Sequence, residues 1–399
     1  MTYLWLSLVF VAAAAVVGVV CVRKGANSSE ARQHWKATGL AFGALAVLTA
    51  VFDSVMIGME LFHYDASHIL GLKIGLAPVE DFAYPLAGVL VLPGLWVWLT
   101  RGREAAPRSN LKGLIPQALL ASRPISWINT AYPFAAAMFL TTREVNWVLV
   151  VGTLYFLIPY NLAMYGINDV FDYASDLQNP RKGGIEGALL QPRLHRPMLW
   201  LAAITNVPFL VVLAVAGGPA TWLGIAVSAF AVVAYSVAGL RFKERPVLDS
   251  LTSSTHFVSP AVVALTLAGA EMTPGLMILL AAFFLWGMAA HAFGALQDIE
   301  PDRQANIASI ATVFGARRTV RLAVVLWLVA GLAMLATPWP GPLAAAIAVP
   351  YIANCAPWWN VTDTTAARTN TAWRRFIWLN YGSGFLVTLI LILQWNLTS

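Results

Sequence analysis

The chain alternates between long apolar runs and short polar loops. Runs of about 17 to 22 predominantly apolar residues are long enough to cross a bilayer as α-helices. Such runs occur at residues 3–22, 38–59, 82–100, 125–141, 146–166, 198–217, 220–239, 255–271, 274–296, 320–337, 341–357 and 376–395. This pattern predicts an all-α integral membrane protein with about twelve transmembrane helices.

Composition supports this prediction. Hydrophobic residues make up 59% of the 399 residues and charged residues only 11%, whereas soluble domains are about 25% charged. The 16 Trp and 11 Tyr residues suit the aromatic belts that form at membrane interfaces. The composition therefore excludes an ordinary soluble protein.

Basic residues are distributed asymmetrically between alternate loops. With the N-terminus outside, all but Lys73 and Arg143 of the 25 Lys and Arg residues fall in cytoplasmic loops, as the positive-inside rule requires. The first apolar run is followed by Arg23 and Lys24, which is the reverse of a secretory signal. We therefore expect a multi-pass protein of the cell membrane, surrounded by membrane lipid. Its net charge of +6 follows from membrane orientation and requires no nucleic-acid partner.

A polar segment separates the first three predicted helices from the other nine. We predict a three-helix domain at residues 1–100, a cytoplasmic linker with a short interfacial helix at 101–122, and a nine-helix bundle at 123–399. The linker begins with Arg, Gly and Pro-containing sequence and becomes amphipathic near its end.

Two acidic segments stand out in the nine-helix part. Asp169, Asp172 and Asp176 have the spacing that places three carboxylates on one face of a helix, and Asp298 and Asp302 are four residues apart. With Glu300, six of the 19 acidic residues fall in these two segments. Carboxylate oxygens suit Mg²⁺, which binds one or two carboxylates together with substrate phosphates. The pattern predicts a diphosphate and Mg²⁺ held between two cytoplasmic helix ends; the alternative is two solvated acidic loops.

These segments resemble the motifs of UbiA-type intramembrane prenyltransferases. The resemblance lies in Asn168-Asp169-x-x-Asp172-x-x-x-Asp176 with its trailing Arg181-Lys182, in Asp298-x-x-x-Asp302, in Tyr235-Ser236 with Arg241 and Lys243, and in Ser122-Arg123-Pro124. It covers roughly residues 112–399. Where family members often carry a third acid after the second motif, this chain has Asn306.

The resemblance implies roles for individual residues. Mg²⁺ would be bound by Asp169, Asp172, Asp176, Asp298 and Asp302. The prenyl diphosphate would be bound by Asn168, Arg123, Arg181, Lys182, Tyr235, Arg241 and Lys243. Arg123, Arg241 and Lys243 also fit a second interpretation as ordinary cytoplasmic basic residues. His256 and His291, which lie in apolar runs, fit hydrogen-bonded core histidines better than catalytic bases.

The N-terminal part resembles a different family. Residues 71–85, which include Pro78-Val79-Glu80-Asp81, are similar to the small membrane subunit of bacterial heterodimeric lycopene cyclases. Carotenoid ring closure begins with protonation of a double bond, so Glu80 or Asp81 would be the catalytic acid. The alternative is an ordinary negatively charged loop. Asp53 and Glu60, at the end of the second helix, are further candidates because acids within membrane segments are often functional.

Together the two resemblances imply a lycopene elongase fused to half of a lycopene cyclase. The enzyme would transfer dimethylallyl units from dimethylallyl diphosphate to both ends of lycopene and contribute to ring closure in a fifty-carbon carotenoid. A second small cyclase subunit would complete the cyclase. Two alternatives remain: a prenyltransferase for another lipid acceptor whose N-terminal helices are a non-catalytic anchor, and a membrane transporter or lipid-binding protein.

Overall fold

The computed structural model describes residues 2–60, 62–100, 113–173, 177 and 188–398. The chain divides into two compact units, Met1–Ala106 (unit 1) and Pro107–Ser399 (unit 2). The predicted linker residues 101–112 and the predicted site residues Asp176, Arg181 and Lys182 lie outside the described residues.

Unit 1 consists of three long helices and a short hairpin. The helices are α1 (Thr2–Gly25), α2 (Ser28–Gly58) and α3 (Ala83–Thr100). Asn27 caps α2 through a reciprocal hydrogen bond with Glu30, which explains why a new helix begins directly after α1. The hairpin pairs β1 (Lys73–Ile74) with β2 (Ala77–Pro78) in antiparallel register, and a 3₁₀ turn, Val79–Phe82, leads into α3.

Glycines allow α1 and α3 to pack closely. A Cβ atom on Gly18 would lie 2.4 Å from the backbone oxygen of Leu90, and one on Gly94 would lie 3.1 Å from the backbone oxygen of Gly18. Small residues at such crossings let membrane helices approach each other. This packing fixes the helix at whose start Glu80 and Asp81 lie.

Unit 2 is a bundle of thirteen described α-helices of very different lengths. They are α4 (Leu114–Ala121), α5 (Ile128–Thr142), α6 (Trp147–Leu157), α7 (Pro159–Phe171), α8 (His195–Ala216), α9 (Pro219–Ser236), α10 (Leu248–Leu267), α11 (Pro274–Ala295), α12 (Ile299–Gln304), α13 (Ile310–Phe314), α14 (Ala316–Met334), α15 (Ala348–Cys355) and α16 (Asn370–Leu397). Helix α10 lies centrally and packs against α5, α9 and α11.

Two aromatic clusters form the core of unit 2. One surrounds Phe134, Phe156 and Tyr160, and the other surrounds Trp327 and Tyr351. Gly152 is required in the first cluster because a Cβ there would lie 2.0 Å from the Phe134 ring. These rings supply large buried apolar areas that hold the helices at fixed spacing.

The predicted all-α membrane fold is confirmed, although the number of spanning helices is not fixed by the structure. Helical structure overlaps every one of the predicted apolar runs. Within the described ranges, eight stretches are long and apolar enough to span a membrane: Tyr3–Gly25, Ser28–Gly58, Val79–Trp98, Trp147–Phe171, Pro192–Ala216, Pro219–Ser236, Pro274–Gln304 and Asp363–Leu397. The run predicted at 341–357 is partly a 3₁₀ helix, Gly341–Ile347, so it rises differently from a regular span.

Candidate active site

A single large cavity in unit 2 connects the predicted acidic residues with an apolar interior. Its volume is about 1790 Å³. Arg123, Asp172, Lys243, Asp298 and Asp302 line its polar end. The rest of the wall is largely apolar and aromatic, and it includes Tyr132, Phe257, Phe283, Trp286, Tyr351, Trp373, Phe376 and Phe385. The cavity therefore combines a charged end with a pocket suited to a hydrocarbon chain.

The first acidic segment lies where α7 ends. Asp169 is fully buried in the last turn of α7, whereas Asp172 follows the helix with φ −100° and ψ 1°. The expectation that one regular helical face carries Asp169 and Asp172 therefore needs correction, because α7 ends at Phe171. Asp176, the third acid of that expectation, lies outside the described residues. Asp169 accepts a hydrogen bond from the backbone N–H of Ala188 at 3.1 Å.

Three basic side chains reach these two carboxylates. The Arg123 Nη2 atom lies 3.4 Å from Asp169 Oδ1, and the Arg241 Nη2 atom lies 3.8 Å from Asp172 Oδ1. Lys243 forms an ion pair with Asp172. The three basic residues, which come from two separate loops, thus lie beside the two carboxylates at the end of α7.

Both arginines occupy left-handed backbone conformations. The φ angle is 50° at Arg123 and 41° at Arg241, and each residue precedes a 3₁₀ turn. Non-glycine residues in this region are strained and often mark functional sites. The guanidinium of Arg123 also lies over the Tyr165 ring at 4.2 Å, which restricts its orientation.

Lys243 lies between the two acidic segments. Burial lowers the pKa of Lys243 to about 8, while the negative charges of Glu244, Asp302 and Asp169 act in the opposite direction. Desolvation disfavours the charged ammonium and the carboxylates favour it. Lys243 is therefore within electrostatic range of carboxylates from both acidic segments.

The second acidic segment is not one regular helical face. A 3₁₀ turn, Leu296–Asp298, separates α11 from the short α12, which contains Asp302. Asp298 and Asp302 both line the cavity despite this irregularity. Asn306 is exposed and has φ 55°, a conformation that Asn tolerates better than most residues. Asn306 thus forms the turn after α12.

Two acids that the motif analysis missed hold this segment in place. Asp249 is fully buried and accepts hydrogen bonds from the backbone N–H groups of Ser250 at 2.7 Å and Ile310 at 2.6 Å. Asp363 accepts one from Ala316 N at 2.7 Å and another from Arg303 at 2.7 Å. An acid at the start of an otherwise apolar run was the only sequence signal for Asp249.

Asn168 and Tyr235 also line the cavity, as their predicted roles require. The Ser236 hydroxyl donates a hydrogen bond to Asn168 Oδ1 at 3.0 Å, which ties α9 to α7. The Tyr235 hydroxyl lies 3.2 Å from Nε2 of His291, and the Ser250 hydroxyl lies 3.0 Å from Nδ1 of the same ring. His291 is therefore a hydrogen-bonded histidine of the cavity wall.

The donor set at the polar end fits Mg²⁺ bound together with a diphosphate. Carboxylates from both acidic segments are present at one end of one cavity, and oxygen donors are the ligands that Mg²⁺ prefers. Among the described residues, no three His, Cys, Asp or Glu side chains form a group that could hold a metal ion by themselves.

Unit 1 contains a separate acidic site at the start of α3. Glu80 is only 5% exposed, and its Oε1 atom accepts a hydrogen bond from the backbone N–H of Leu70 at 2.6 Å. The Tyr64 hydroxyl donates to both Asp81 oxygens at 2.7 and 2.8 Å. The carboxyl group of Asp53 lies close enough to that of Asp81 for the two to interact. Two neighbouring carboxyl groups are less easily ionised together, so a proton on one of them is favoured.

The other acids of unit 1 differ from this arrangement. Glu60, which the sequence offered as a further interior candidate, is exposed, so that expectation is wrong. Burial and the hydrogen bond to Asp81 raise the pKa of Tyr64 above its ordinary range. Tyr64 therefore remains a hydrogen-bond donor to Asp81 at neutral pH.

Comparison with known proteins agrees with this geometry. The model of the UbiA prenyltransferase family matches residues 130–380, which is more than half of the chain. The chain belongs to the UbiA prenyltransferase family. It is therefore an intramembrane prenyltransferase, and it crosses the membrane several times.

Two relatives and one solved structure are particularly similar. The chain is 46% identical to the C(50) beta-cyclic carotenoids biosynthesis protein LbtBC of Dietzia sp. (strain CQ4), over 99% of this chain and all of that protein. It is 51% identical to a lycopene elongase/hydratase of Corynebacterium glutamicum, over 69% of this chain and 96% of that protein. A UbiA homolog from Archaeoglobus fulgidus, solved with DMAPP and Mg²⁺, shares the fold with a TM-score of 0.50 and 21% identity, over 67% of this chain and 98% of that one.

Proposed function

We propose that unit 2 transfers dimethylallyl units from dimethylallyl diphosphate to the ends of lycopene, in a reaction that depends on Mg²⁺. The observation that carries the proposal is the convergence of two acidic segments and three cations on the polar end of one long, aromatic-walled cavity. The names of the two similar proteins, which refer to lycopene elongation and to fifty-carbon carotenoids, support the choice of acceptor.

The residues at the polar end divide into two groups by charge. Asp169, Asp172, Asp298 and Asp302, with Asp176 from the predicted set, would hold Mg²⁺, which when bound neutralises charge on the diphosphate. Arg123, Arg241 and Lys243, with the predicted Arg181 and Lys182, would contact the same diphosphate through charge-assisted hydrogen bonds. Asn168 and Tyr235, which also line the cavity, would contact the substrate where the diphosphate joins the prenyl chain.

The chemistry follows from this placement. The C–O bond of the diphosphate breaks, its electron pair leaves with the diphosphate, and the cationic side chains stabilise the charge that develops there. The aromatic wall excludes water from the allylic cation, which would otherwise be hydrolysed to an alcohol. The allylic cation then adds to a terminal double bond of lycopene, and the tertiary cation that results loses a proton or captures water.

Unit 1 would contribute the acid for ring closure. Glu80 and Asp81 are the predicted donors, and the neighbouring Asp53 carboxyl group favours Asp81, because two adjacent carboxyl groups are less easily ionised together and tend to retain a proton. Glu80 Oε1 accepts from Leu70 N–H, which suggests that it also holds the preceding loop. A second small cyclase subunit would complete this site.

The proposed orientation follows from the loop charges. The enzyme would lie in the cell membrane with its N-terminus outside and both acidic segments facing the cytoplasm, where Mg²⁺ and diphosphates occur. A prenyltransferase for another lipid acceptor, with unit 1 as an anchor, is the competing proposal. The location of the acids at helix ends, rather than on broken helices near the midplane, disfavours a transporter.

One experiment tests the proposal directly. Membranes that contain the full chain are supplied with dimethylallyl diphosphate and either lycopene or a quinone precursor, with Mg²⁺ or with EDTA. We expect lycopene to gain one and then two five-carbon units, as seen by mass, only when Mg²⁺ is present. Transfer that continues in EDTA would contradict the metal assignment, and transfer to the quinone precursor alone would contradict the acceptor.

A further inference from the structure

His256, in the wall of the cavity, has a ring nitrogen with no role in the proposed prenyl transfer. His256 lies on α10, and Ser253, Phe257, Ala261 and Leu265 of the same helix also line the cavity. Their spacing of three and four residues defines one helical face. His256 is seven residues beyond Asp249, which places it about 10 Å along the helix from that residue at 1.5 Å per residue. It therefore lies inside the hydrocarbon part of the cavity, beyond the charged end.

The two ring nitrogens of His256 have different surroundings. Nδ1 lies 3.2 Å from the hydroxyl of Tyr160. Nε2 is buried and has no hydrogen-bond partner among the described residues. His291, the other histidine among the described lining residues, instead has a hydroxyl beside each ring nitrogen. The two histidines are thus distinguished by one unsatisfied atom.

An unsatisfied buried nitrogen requires an explanation. Leaving a buried polar atom without a partner costs roughly 1 to 3 kcal/mol, so such atoms are rare outside functional sites. His256 is 3% exposed, and the rings of Tyr160 and Tyr235 lie at centroid distances of 6.3 and 5.6 Å from it. The Tyr160 hydroxyl provides a partner for Nδ1 only, so it does not account for the unsatisfied Nε2.

The hydrogen bonds of Tyr160 allow Nδ1 of His256 to carry the hydrogen. The Tyr160 hydroxyl also interacts with Ser228 and Ser259, which are hydrogen bonded to each other at 2.9 Å. Tyr160 can therefore donate to a serine and accept from Nδ1–H of His256. The partner of one ring nitrogen fixes the state of the other. In this arrangement Nε2 has a free lone pair and is able to accept a proton.

We infer that Nε2 of His256 is the base that ends prenyl transfer by removing a proton from the tertiary carbocation. This inference rests on the proposed function. The new C–C bond leaves the positive charge on a tertiary carbon of the lycopene end. A C–H bond on the neighbouring carbon then breaks, its electrons form a new C=C bond, and the proton moves to Nε2. The imidazolium gives up this proton to the released diphosphate or to water when the products leave.

The surroundings of His256 favour proton loss over capture of the cation by water. Tyr235 lines the cavity, and its ring centroid lies 5.6 Å from that of His256. The face of an aromatic ring attracts positive charge, so this ring stabilises a nearby carbocation without reacting with it. The largely apolar wall of the cavity offers few partners to a water molecule. A base held in an apolar wall thus determines that the product is an alkene and carries no new hydroxyl group.

The test uses His256→Asn in the full chain. The Asn amide N–H can replace Nδ1–H as a donor to Tyr160, but Asn has no base at the position of Nε2. We expect elongated carotenoid to form about 100-fold more slowly, which is the lower part of the range for general-base catalysis. The KM for dimethylallyl diphosphate should change by less than about twofold, because the diphosphate residues are intact. Dimethylallyl alcohol and hydroxylated carotenoid should increase relative to the alkene product.

A second variant separates catalysis from folding. Tyr160→Phe keeps the ring and the packing but removes the hydroxyl that orients Nδ1. We expect a smaller loss than in His256→Asn, with the same shift toward alcohol and hydroxylated product. Both variants are compared with the wild-type enzyme for thermal unfolding in detergent, so that a general loss of fold is recognised.

The outcomes distinguish the inference from the proposed function. In one outcome, the wild-type enzyme elongates lycopene and His256→Asn gives the same products at the same rate. In that case the assignment of His256 as the base is wrong, and the proposed function stands. If His256→Asn lowers the rate without changing the ratio of alkene to alcohol and hydroxylated product, the residue is structural and the inference fails. If the wild-type enzyme does not elongate lycopene, both fail together.

Discussion

Carboxylates are central to the chemistry proposed for both units, but the two units surround them differently. In unit 2, Asp169 and Asp172 are contacted by Arg123, Arg241 and Lys243. In unit 1, Asp81 accepts hydrogen bonds from the Tyr64 hydroxyl and lies near a second carboxyl group, that of Asp53. The first environment stabilises negative charge, whereas the second favours a protonated carboxyl group.

This difference shows that residue type alone does not assign the chemistry of an acid. Cationic neighbours keep a carboxylate ionised and able to bind a metal ion, while a carboxyl partner retains a proton that can be transferred. One chain therefore contains acids suited to charge stabilisation and acids suited to proton donation. Substitutions that change one carboxylate environment and leave the other intact test whether the two environments have different roles.

The largest effect is expected from Asp172→Ala. This change removes the carboxylate that faces Arg241 and Lys243, so the charge balance at the polar end of the cavity is lost. We expect prenyl transfer to fall by about 10³-fold, similar to the loss of a major electrostatic contact in other enzymes. The rate is measured from elongated carotenoid formed per unit of enzyme.

The matched control is Glu144→Ala, because Glu144 is an exposed acid of the same unit. We expect this variant to retain the wild-type rate. An Asp172→Ala enzyme that is folded and transfers prenyl groups at the rate of the control would refute the assignment of the first acidic segment.

The second effect concerns ring closure. The Asp81→Asn substitution removes the carboxyl group that can carry a proton. It preserves the size of the side chain and one acceptor oxygen. With a partner subunit co-expressed, we expect cyclic pigment to decrease by about 100-fold, as for loss of a general acid. Elongation should continue, so the acyclic fifty-carbon product should accumulate. Glu80→Gln should give the same direction of change, and pigment masses and absorption spectra distinguish the products.

Asp65→Asn serves as the control because Asp65 is an exposed acid in unit 1. It should leave both products unchanged. If the double variant Asp81→Asn with Glu80→Gln still yields cyclic pigment at the wild-type level, neither acid donates the proton, and Asp53 becomes the next candidate.

A smaller effect is expected from Asp249→Asn. The Asn side chain has one acceptor oxygen, so it cannot accept from both Ser250 N–H and Ile310 N–H. The loop after α12 should loosen, and the Mg²⁺ concentration for half-maximal activity should increase about 10-fold, as for other residues that orient metal ligands. Saturating Mg²⁺ should restore most of the rate. A lower unfolding temperature with an unchanged Mg²⁺ requirement would show that Asp249 is important only for stability.

Much of the fold and part of the site could be predicted from the sequence. Apolar runs gave the helices because hydrocarbon thickness sets their length. The two acidic segments were recognisable because charged residues are rare in this chain. Their local geometry was not predictable: α7 ends at Phe171, so Asp172 is not on the same regular helix as Asp169. Helix ends depend on tertiary contacts that spacing does not record.

The supporting residues were harder to find than the motif residues. Asp249 acts through backbone groups of Ile310, a residue 61 positions away, and Asp53 meets Asp81 across a loop. No sequence pattern indicated a partner for either acid. The interpretation of His256 as a hydrogen-bonded core histidine described only Nδ1, because the lack of a partner at Nε2 is visible only in three dimensions.

The smallest effect is expected from removing unit 1. Residues 112–399 contain all the described prenyltransferase site residues, and a match over 69% of this chain covers 96% of the similar lycopene elongase/hydratase of Corynebacterium glutamicum. Since compact units with their own core generally fold alone, we expect this fragment to elongate lycopene within about threefold of the full-chain rate. Membrane insertion is verified by fractionation, and elongation is measured by mass. Ring closure should be lost completely even with the partner subunit present, because Asp53, Tyr64 and Asp81 are all absent. A fragment that inserts and folds but does not elongate lycopene would show that the two carboxylate environments are not independent and that unit 1 helps to form the elongation site.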